Sequence, residues 1–484
     1  MNMVPLILPE RQERKRPIVP LGLTWLSCVG RKAFLLGILC QRGDAMPILI
    51  RGARLLDPAN QVDIFADILI EGAHVAAIGY NLSTDCCGTG TTIEFESGTI
   101  IEASGRVLVP GLVDIHVHLR EPGREHKETI LTGCRAAAAG GYTAVCAMPN
   151  TIPTIDSVAT LAYFKEKAAC APVRCYPIAA VTLRQQGRAL TDAVALRAAG
   201  AVAFSDDGEP VSDALLFARA LKHSHVHQAP LIAHCEDKEL ARGGVMHHGS
   251  RSATLSLPGI PARAEEEMVK RDLQLAAKSS SRLHIAHVST SGSIELIREA
   301  KAMGVPITCE VTPHHLLLTH DSVEFHDANT KMNPPLRTAE DIAALKMALK
   351  DKVIDCIATD HAPHHHDEKA LPYTEAPFGI VGLETALPLM ISELVASGLL
   401  SLAELILLMS TNPAHILGLP RGEIIIGGLA DFTLIDTTLV QTVDPARFYS
   451  LGKNTPFAGR TLCGWPVLTM VNGKIVMKDG VVYE

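Results

Sequence analysis

From residue 48 onward, apolar positions fall into short runs separated by Gly, Asp and Asn. Residues 48–50, 66–70, 74–78, 92–95 and 107–109 are branched or apolar and predict sheet strands ahead of a main domain. Similar segments return at 431–436 and 467–476, where Asn472-Gly473 predicts a hairpin turn. The two flanks together predict one small β-sandwich domain built from both ends of the chain, with two unrelated ribbons as the alternative.

Between the flanks the pattern changes. Apolar runs at 113–115, 143–147, 173–179, 201–204, 230–233, 283–286, 307–310 and 353–358 alternate with helix-length segments such as 214–227, 262–279, 291–303 and 339–350. This alternation predicts an α/β fold, a (β/α)8 TIM-like barrel with crossover helices. A doubly wound open sheet shares the alternation. However, the chemically suspicious residues follow several different strands, and a barrel gathers such positions at one mouth. The expected division is an extension at 1–45, the halves of the small β domain at 46–106 and 419–484, and the barrel at 107–418.

Composition narrows the class. The 484 residues are 47% apolar, enough for a large core and a second domain. Lys and Arg number 44 against 52 Asp and Glu, a net charge of -8, which offers no global footprint for nucleic acid or an anionic membrane. The 12 Cys contain no CxxC pair, so reduced, mostly buried thiols and a cytoplasmic location are expected. Near the start, Arg14, Lys15 and Arg16 precede apolar stretches too short for the roughly 20 residues of a membrane helix. Arg31 and Lys32 interrupt a secretory-signal pattern. The first 45 residues therefore read as a loosely ordered extension, or as sequence upstream of an internal start at Met46.

Candidate chemistry sits at the strand ends. His116-Val117-His118 closes the first core strand, and period-two geometry puts both imidazoles on one side, an arrangement suited to a divalent metal. Asp206-Asp207-Gly208, His234, His287 and Asp360 follow the fourth, fifth, sixth and eighth strands. Gathered at one mouth, these groups suffice for two zinc ions with a shared bridge, positioning a hydroxide and polarising a carbonyl. Asp360 is the candidate to accept the nucleophile's proton and return it to a leaving nitrogen. His223, His225 and His227 alternate around a helix, and His247-His248 reads as surface or local structure. Cys235 and Cys309 read as core packing. There is no GxSxG motif and no phosphate loop with its following Lys, so neither a serine hydrolase nor a nucleotide cofactor is expected.

The run 114–123 (DIHVHLREPG), the segment 358–364 (ATDHAPH) and the segment 377–384 (PFGIVGLE) together resemble the dihydroorotases of the amidohydrolase superfamily. The resemblance is to the longer bacterial type, related to the domain of fused pyrimidine-synthesis proteins, and runs from about residue 48 to the C-terminus. It implies two zinc ions per subunit: His116 and His118 on one with Asp360, His234 and His287 on the other, and an acidic bridge. Relatives bridge with a carboxylated lysine, but residues 204–208 (FSDDG) contain none, so an aspartate bridge is implied, Asp207 in preference to Asp206. The resemblance also places Arg120, Asn150, Asn333 and His364 around the substrate. Arg120 suits a carboxylate and Asn150 offers both a donor and an acceptor.

The implied reaction is reversible hydrolysis of L-dihydroorotate to N-carbamoyl-L-aspartate in pyrimidine biosynthesis, by a metal-bridged hydroxide with Asp360 as acid and base. Hydantoinase or allantoinase activity is the enzymatic alternative. A silent scaffold for aspartate transcarbamoylase is the non-enzymatic one. Expected partners are the small carboxylate substrate, a second copy in a homodimer and, as a further option, aspartate transcarbamoylase; neither nucleic acid nor membrane is expected.

Overall fold

Two sheets organise the chain, and the switch between them falls at a glycine. The computed structural model describes residues 46–82, 98–226 and 228–483. The expected strand at 92–95, His227 and the first 45 residues lie outside the described residues. The N-terminal flank supplies β1 (Ile48–Asp57), β2 (Val62–Glu71), β3 (His74–Gly79), β4 (Thr99–Glu102) and β5 (Val107–Pro110). The central strands are β6 (Leu112–Val117), β7 (Tyr142–Ala147), β8 (Arg174–Ala179), β9 (Ala203–Ser205) and β10 (Leu231–Ala233). They continue, past a small ribbon of β11 (Met246–His247) and β12 (Gly259–Ile260), with β13 (Leu283–Ile285), β14 (Ile307–Val311) and β15 (Cys356–Ile357). The C-terminal flank adds β16 (Phe432–Thr442), β17 (Thr461–Val471), β18 (Lys474–Lys478) and β19 (Val481–Val482).

The eight-stranded sheet runs in the order β6-β7-β8-β9-β10-β13-β14-β15, with every pair parallel. Its ends meet: Val117 bridges to His361, and the His118 amide donates to the His361 carbonyl at 2.8 Å, so the sheet is a nearly closed barrel. Helices Ile130–Ala139, Val158–Ala168, Ser291–Ala302 and Ala339–Lys350 lie between successive strands. Each begins where a Ser or Thr side chain (Thr129, Ser157, Thr290, Thr338) accepts from the amide three residues on, satisfying a donor the helix itself leaves free. In Ser291–Ala302 the buried positions Ile294, Ile297 and Ala300 recur at helical spacing and press one face onto the barrel.

Alternation divides the barrel strands between two cores. Val113, Ile115, Ala144, Cys146, Ile178 and Ile232 pack inside, where Ala414, Ile416, Leu417 and Leu419 join them. Val117, Val145, Ala147, Leu231 and Ile285 pack in the outer layer. Ile115 faces inward and Val117 outward, so strict alternation fails between them. The β6–β7 register shifts between Asp114 and Val117, and this irregularity re-aims His116 and His118 toward the interior.

The flank strands join one nine-stranded sheet, in which β16 lies beside β5 and β5 beside β1. β5 thus belongs to the flank sheet, and the change of sheet falls at Gly111, beyond the boundary expected at 107. A Cβ on Gly111 would strike the buried Thr143 side chain, so glycine lets the chain cross there. Asn472 (φ 52°) and Gly473 (φ 69°) form the two-residue turn between β17 and β18. That turn also meets the turn between β2 and β3, where a Cβ on Gly473 would strike the Gly72 carbonyl, so the sheet curls over its own core. No helix among the described residues is long and apolar enough to cross a membrane.

Candidate active site

At the C-terminal ends of the barrel strands, six sequence-predicted residues converge. Asp207 Oδ1 lies 3.5 Å from His116 Nε2, His234 Nδ1 and His287 Nε2, and its Oδ2 lies 3.4 Å from His118 Nε2. Asp360 Oδ1 stands 3.0 Å from His118 Nε2 and 3.5 Å from His116 Nε2. All six residues are buried. Two groups of donor atoms emerge with Asp207 common to both: His116, His118 and Asp207, and Asp207, His234 and His287.

The donor set fits divalent cations. His116 Nε2 and Asp207 Oδ1 are buried without any hydrogen-bond partner, a costly arrangement unless a cation satisfies them. His234 Nδ1 and His287 Nε2 approach to 2.9 Å, as two nitrogens converging on one ion would. Burial alone would raise the carboxyls of Asp207 and Asp360, yet the surrounding imidazoles hold both well below the usual carboxylate range.

Asp206, the neighbouring carboxylate, is already committed. Its oxygens accept from the Val181 and Thr182 amides at 2.8 and 3.1 Å and from the Thr182 hydroxyl. Burial nevertheless pushes its carboxyl up to about 6. Asp207, not Asp206, therefore faces the four histidines.

Three residues of the site carry unusual backbone conformations. Arg120 (φ 62°), His287 (φ 31°) and Asp360 (φ 49°) all occupy the left-handed region that L side chains rarely adopt. Each follows a barrel strand, where the chain must turn sharply while its side chain still points into the mouth.

The cluster opens on a cavity of about 570 Å3, lined among others by Arg120, Asn150, Asn333 and Asp360. Arg120 is buried; its Nε donates to the Pro363 carbonyl at 3.1 Å and its Nη2 lies 3.1 Å from His364 Nε2. Among the described residues no carboxylate stands within ion-pair distance of it. Burial first, and then neighbouring Arg124, lower its guanidinium to about 10. Asn150 Oδ1 lies 2.9 Å from His118 Nδ1, so Asn150 orients the His118 imidazole as well as facing the cavity. His364 does not line the cavity. It stands behind Arg120, with the Phe378 carbonyl 2.8 Å from the same Nε2, and burial among Arg120, Lys127 and Lys369 holds its imidazole well below its ordinary value.

Several residues at the site escaped sequence reasoning. Glu310 on β14 lies 2.5 Å from His116 Nδ1, which leaves Nε2 to face Asp207; its other oxygen lies 3.1 Å from His284 Nε2. The signal was present: an acidic residue at an inward position of a buried strand. Glu310, His284 and Cys356 have metal-like spacing, but His284 Nδ1 also bonds Thr308, and burial holds the Cys356 thiol well above its ordinary value. Glu236, Lys238 and Lys331 also line the cavity. Lys331 Nζ donates to the Tyr373 carbonyl at 2.6 Å and sits 4.7 Å from the centre of the Phe378 ring, and burial lowers its ammonium to about 8.

The histidines set aside by sequence reasoning divide. His223 and His225 are exposed on helix Ala214–Val226. His247 is buried, with Arg337 Nη1 at 3.2 Å from its Nδ1, and burial followed by that guanidinium lowers it to about 4. Cys235 and Cys309 are buried thiols with raised pKa, as core packing requires.

Residues 105–293 match the family model described as Dihydro-orotase-like, and residues 252–477 that of the Amidohydrolase family. A dihydroorotase of Pelotomaculum thermopropionicum is 49% identical over 437 residues, covering 90% of this chain and 100% of that protein. A dihydroorotase of Geobacter metallireducens is 47% identical over 434 residues, with the same coverage. Among solved structures, L-hydantoinase (dihydropyrimidinase) from Arthrobacter aurescens aligns with a TM-score of 0.79 at 28% identity, over 90% of this chain and 97% of that one.

Proposed function

The chain belongs to the dihydroorotase family of the amidohydrolase superfamily, and from that premise we propose that it interconverts L-dihydroorotate and N-carbamoyl-L-aspartate in pyrimidine synthesis. The observation that carries this choice of substrate is Arg120, a buried guanidinium without a carboxylate partner among the described residues, in one cavity with the ligand cluster. Dihydroorotate brings the missing carboxylate. Allantoin and simple hydantoins do not, which argues against the hydantoinase reading that the barrel alone would permit.

In this reading His116, His118, Asp207, His234, His287 and Asp360 hold two zinc ions, which would polarise the amide carbonyl and lower the proton affinity of the attacking water. Arg120 binds the substrate carboxylate through paired, charge-assisted hydrogen bonds, with Asn150 and Asn333 on the adjoining walls. His364 acts through Arg120, fixing the plane of its guanidinium. Asp360 accepts the proton released as the carbon–oxygen bond forms, and delivers it to the ring nitrogen as the carbon–nitrogen bond breaks. Ring closure runs through the same groups in reverse.

The low exposure of Arg120 means that its head group is already largely desolvated, so the substrate's carboxylate meets a cation that has little bulk water left to shed. A cytoplasmic location, a homodimer and association with aspartate transcarbamoylase complete the proposal on family resemblance.

Ultraviolet absorbance of zinc-loaded protein given L-dihydroorotate, with allantoin and dihydrouracil followed by product assay, tests the reading. Opening selective for dihydroorotate, with KM raised about 30-fold in Arg120→Ala, is expected for the loss of a charge-assisted contact. Equal turnover of dihydrouracil would refute carboxylate recognition. No turnover with metal bound would favour a scaffold, and adding aspartate transcarbamoylase would then be the next step.

A further inference from the structure

Asn333 stands on the cavity wall with half of its amide already engaged. Its Nδ2 donates to Glu236 Oε1 at 3.0 Å. A carboxylate only accepts, so the nitrogen end of the amide is the end that faces Glu236. Glu236 is itself held: Lys238 Nζ lies 3.0 Å and His234 Nε2 3.6 Å from its other oxygen, Oε2, and the Lys238 ammonium donates to the Gly208 carbonyl at 2.7 Å. These contacts tie together the segment after β9, the segment after β10 and the loop carrying Asn333. All five residues line the cavity.

We infer that Glu236, charge-balanced by Lys238, is a positioning residue that holds the Asn333 amide with its carbonyl oxygen toward the substrate, so that this wall accepts from a substrate N–H. The inference rests on the dihydroorotate reading, since that ring carries N–H groups beside its carbonyls. Freed from Glu236, the amide turns over at little cost and sets its NH2 against the ring N–H, donor against donor. Lys238 has a separate task. It cancels the Glu236 charge, which would otherwise repel an anionic substrate from a wall of the same cavity.

Steady-state kinetics of zinc-loaded wild type, Glu236→Leu, Glu236→Gln, Asn333→Ala and the Glu236→Leu/Asn333→Ala double variant with L-dihydroorotate, alongside metal analysis, test this. Glu236→Leu is expected to raise KM about tenfold, with kcat changed far less and metal content kept. Glu236→Gln is expected to recover most of the loss, because its amide oxygen accepts the same N–H. In the Asn333→Ala background the Leu substitution is expected to add less than about twofold, the mark of two residues acting as one unit. Multiplicative effects in the double variant, a Gln variant as impaired as the Leu variant, or loss of metal from Glu236→Leu would each overturn the inference. A wild-type protein inactive on L-dihydroorotate would remove the substrate reading and the inference with it, an outcome visible before any variant is compared.

Discussion

The two ends of the barrel both bury charge, but they treat it differently. At the N-terminal end, Asp431 accepts from Arg174 Nε at 3.1 Å and from the Asn472 amide at 2.7 Å, with Arg421 Nε also at 3.1 Å. Both of its oxygens are engaged, and the cluster fastens the flank sheet to the barrel. At the C-terminal end, His116 Nε2 and Asp207 Oδ1 are equally buried and face each other at 3.5 Å with no hydrogen-bond partner. Burial and charge are thus common to a structural cluster and a chemical one. The convergence of four imidazoles and two carboxylates on one point distinguishes the second, since these are the donor types that a divalent cation takes.

The comparison breaks most sharply at Asp360. Asp360→Asn is expected to lower kcat on the order of 10^3-fold, the scale of a lost general acid and base, while thermal unfolding of the metal-loaded protein changes little. A variant that keeps full kcat would place the proton transfer elsewhere. At the opposite end the expectation is reversed. Asp431→Ala leaves the Arg174 and Arg421 guanidiniums unpaired and should cost about 3 kcal/mol in denaturant unfolding, with kcat per folded molecule close to wild type. A large loss of kcat there would show that the two ends are coupled.

The adjacent aspartates sharpen the contrast within one end. Asp207→Ala should reduce bound zinc in metal analysis, whereas Asp206→Ala should keep the metal and cost about 2 kcal/mol by stranding the Val181 and Thr182 amides. The reverse pattern would exchange their roles. The smallest effect concerns pH. Burial lowers the Lys331 ammonium to about 8, so it is charged below that value and neutral above it. KM for the anionic substrate should therefore rise a few-fold as pH climbs through about 8, and Lys331→Met should flatten this rise. A pH profile unchanged by the substitution would show that the cation does not reach the substrate.

Much of this molecule was legible in the chain. All eight barrel strands fall where apolar runs alternate with helix-length segments, since a buried parallel strand must be apolar on both faces. The ligand candidates were visible because imidazole and carboxylate groups are rare at the ends of such strands. Their tertiary neighbours were far less visible. Glu310 lies 194 residues from the histidine it contacts, and Glu236 lies 97 residues from Asn333. No local period reports pairings at that range.

His116 and His118 illustrate the division. Alternation by itself put both imidazoles on one side of the strand but could not say which side, because the residues before them, Val113 and Ile115, already claim the interior. The register irregularity in β6 settled it by changing the phase between Asp114 and Val117. Asp206 and Asp207 divide in the same way: either carboxylate suits a ligand, and only the packing of Thr182 against Asp206 commits one and leaves the other open. The sequence by itself determined the order of elements and the inventory of chemical groups, because both follow from side-chain polarity and local spacing. The tertiary structure alone decided which groups meet and which remain unsatisfied, because hydrogen bonding is a short-range contest settled only once distant strands are brought together.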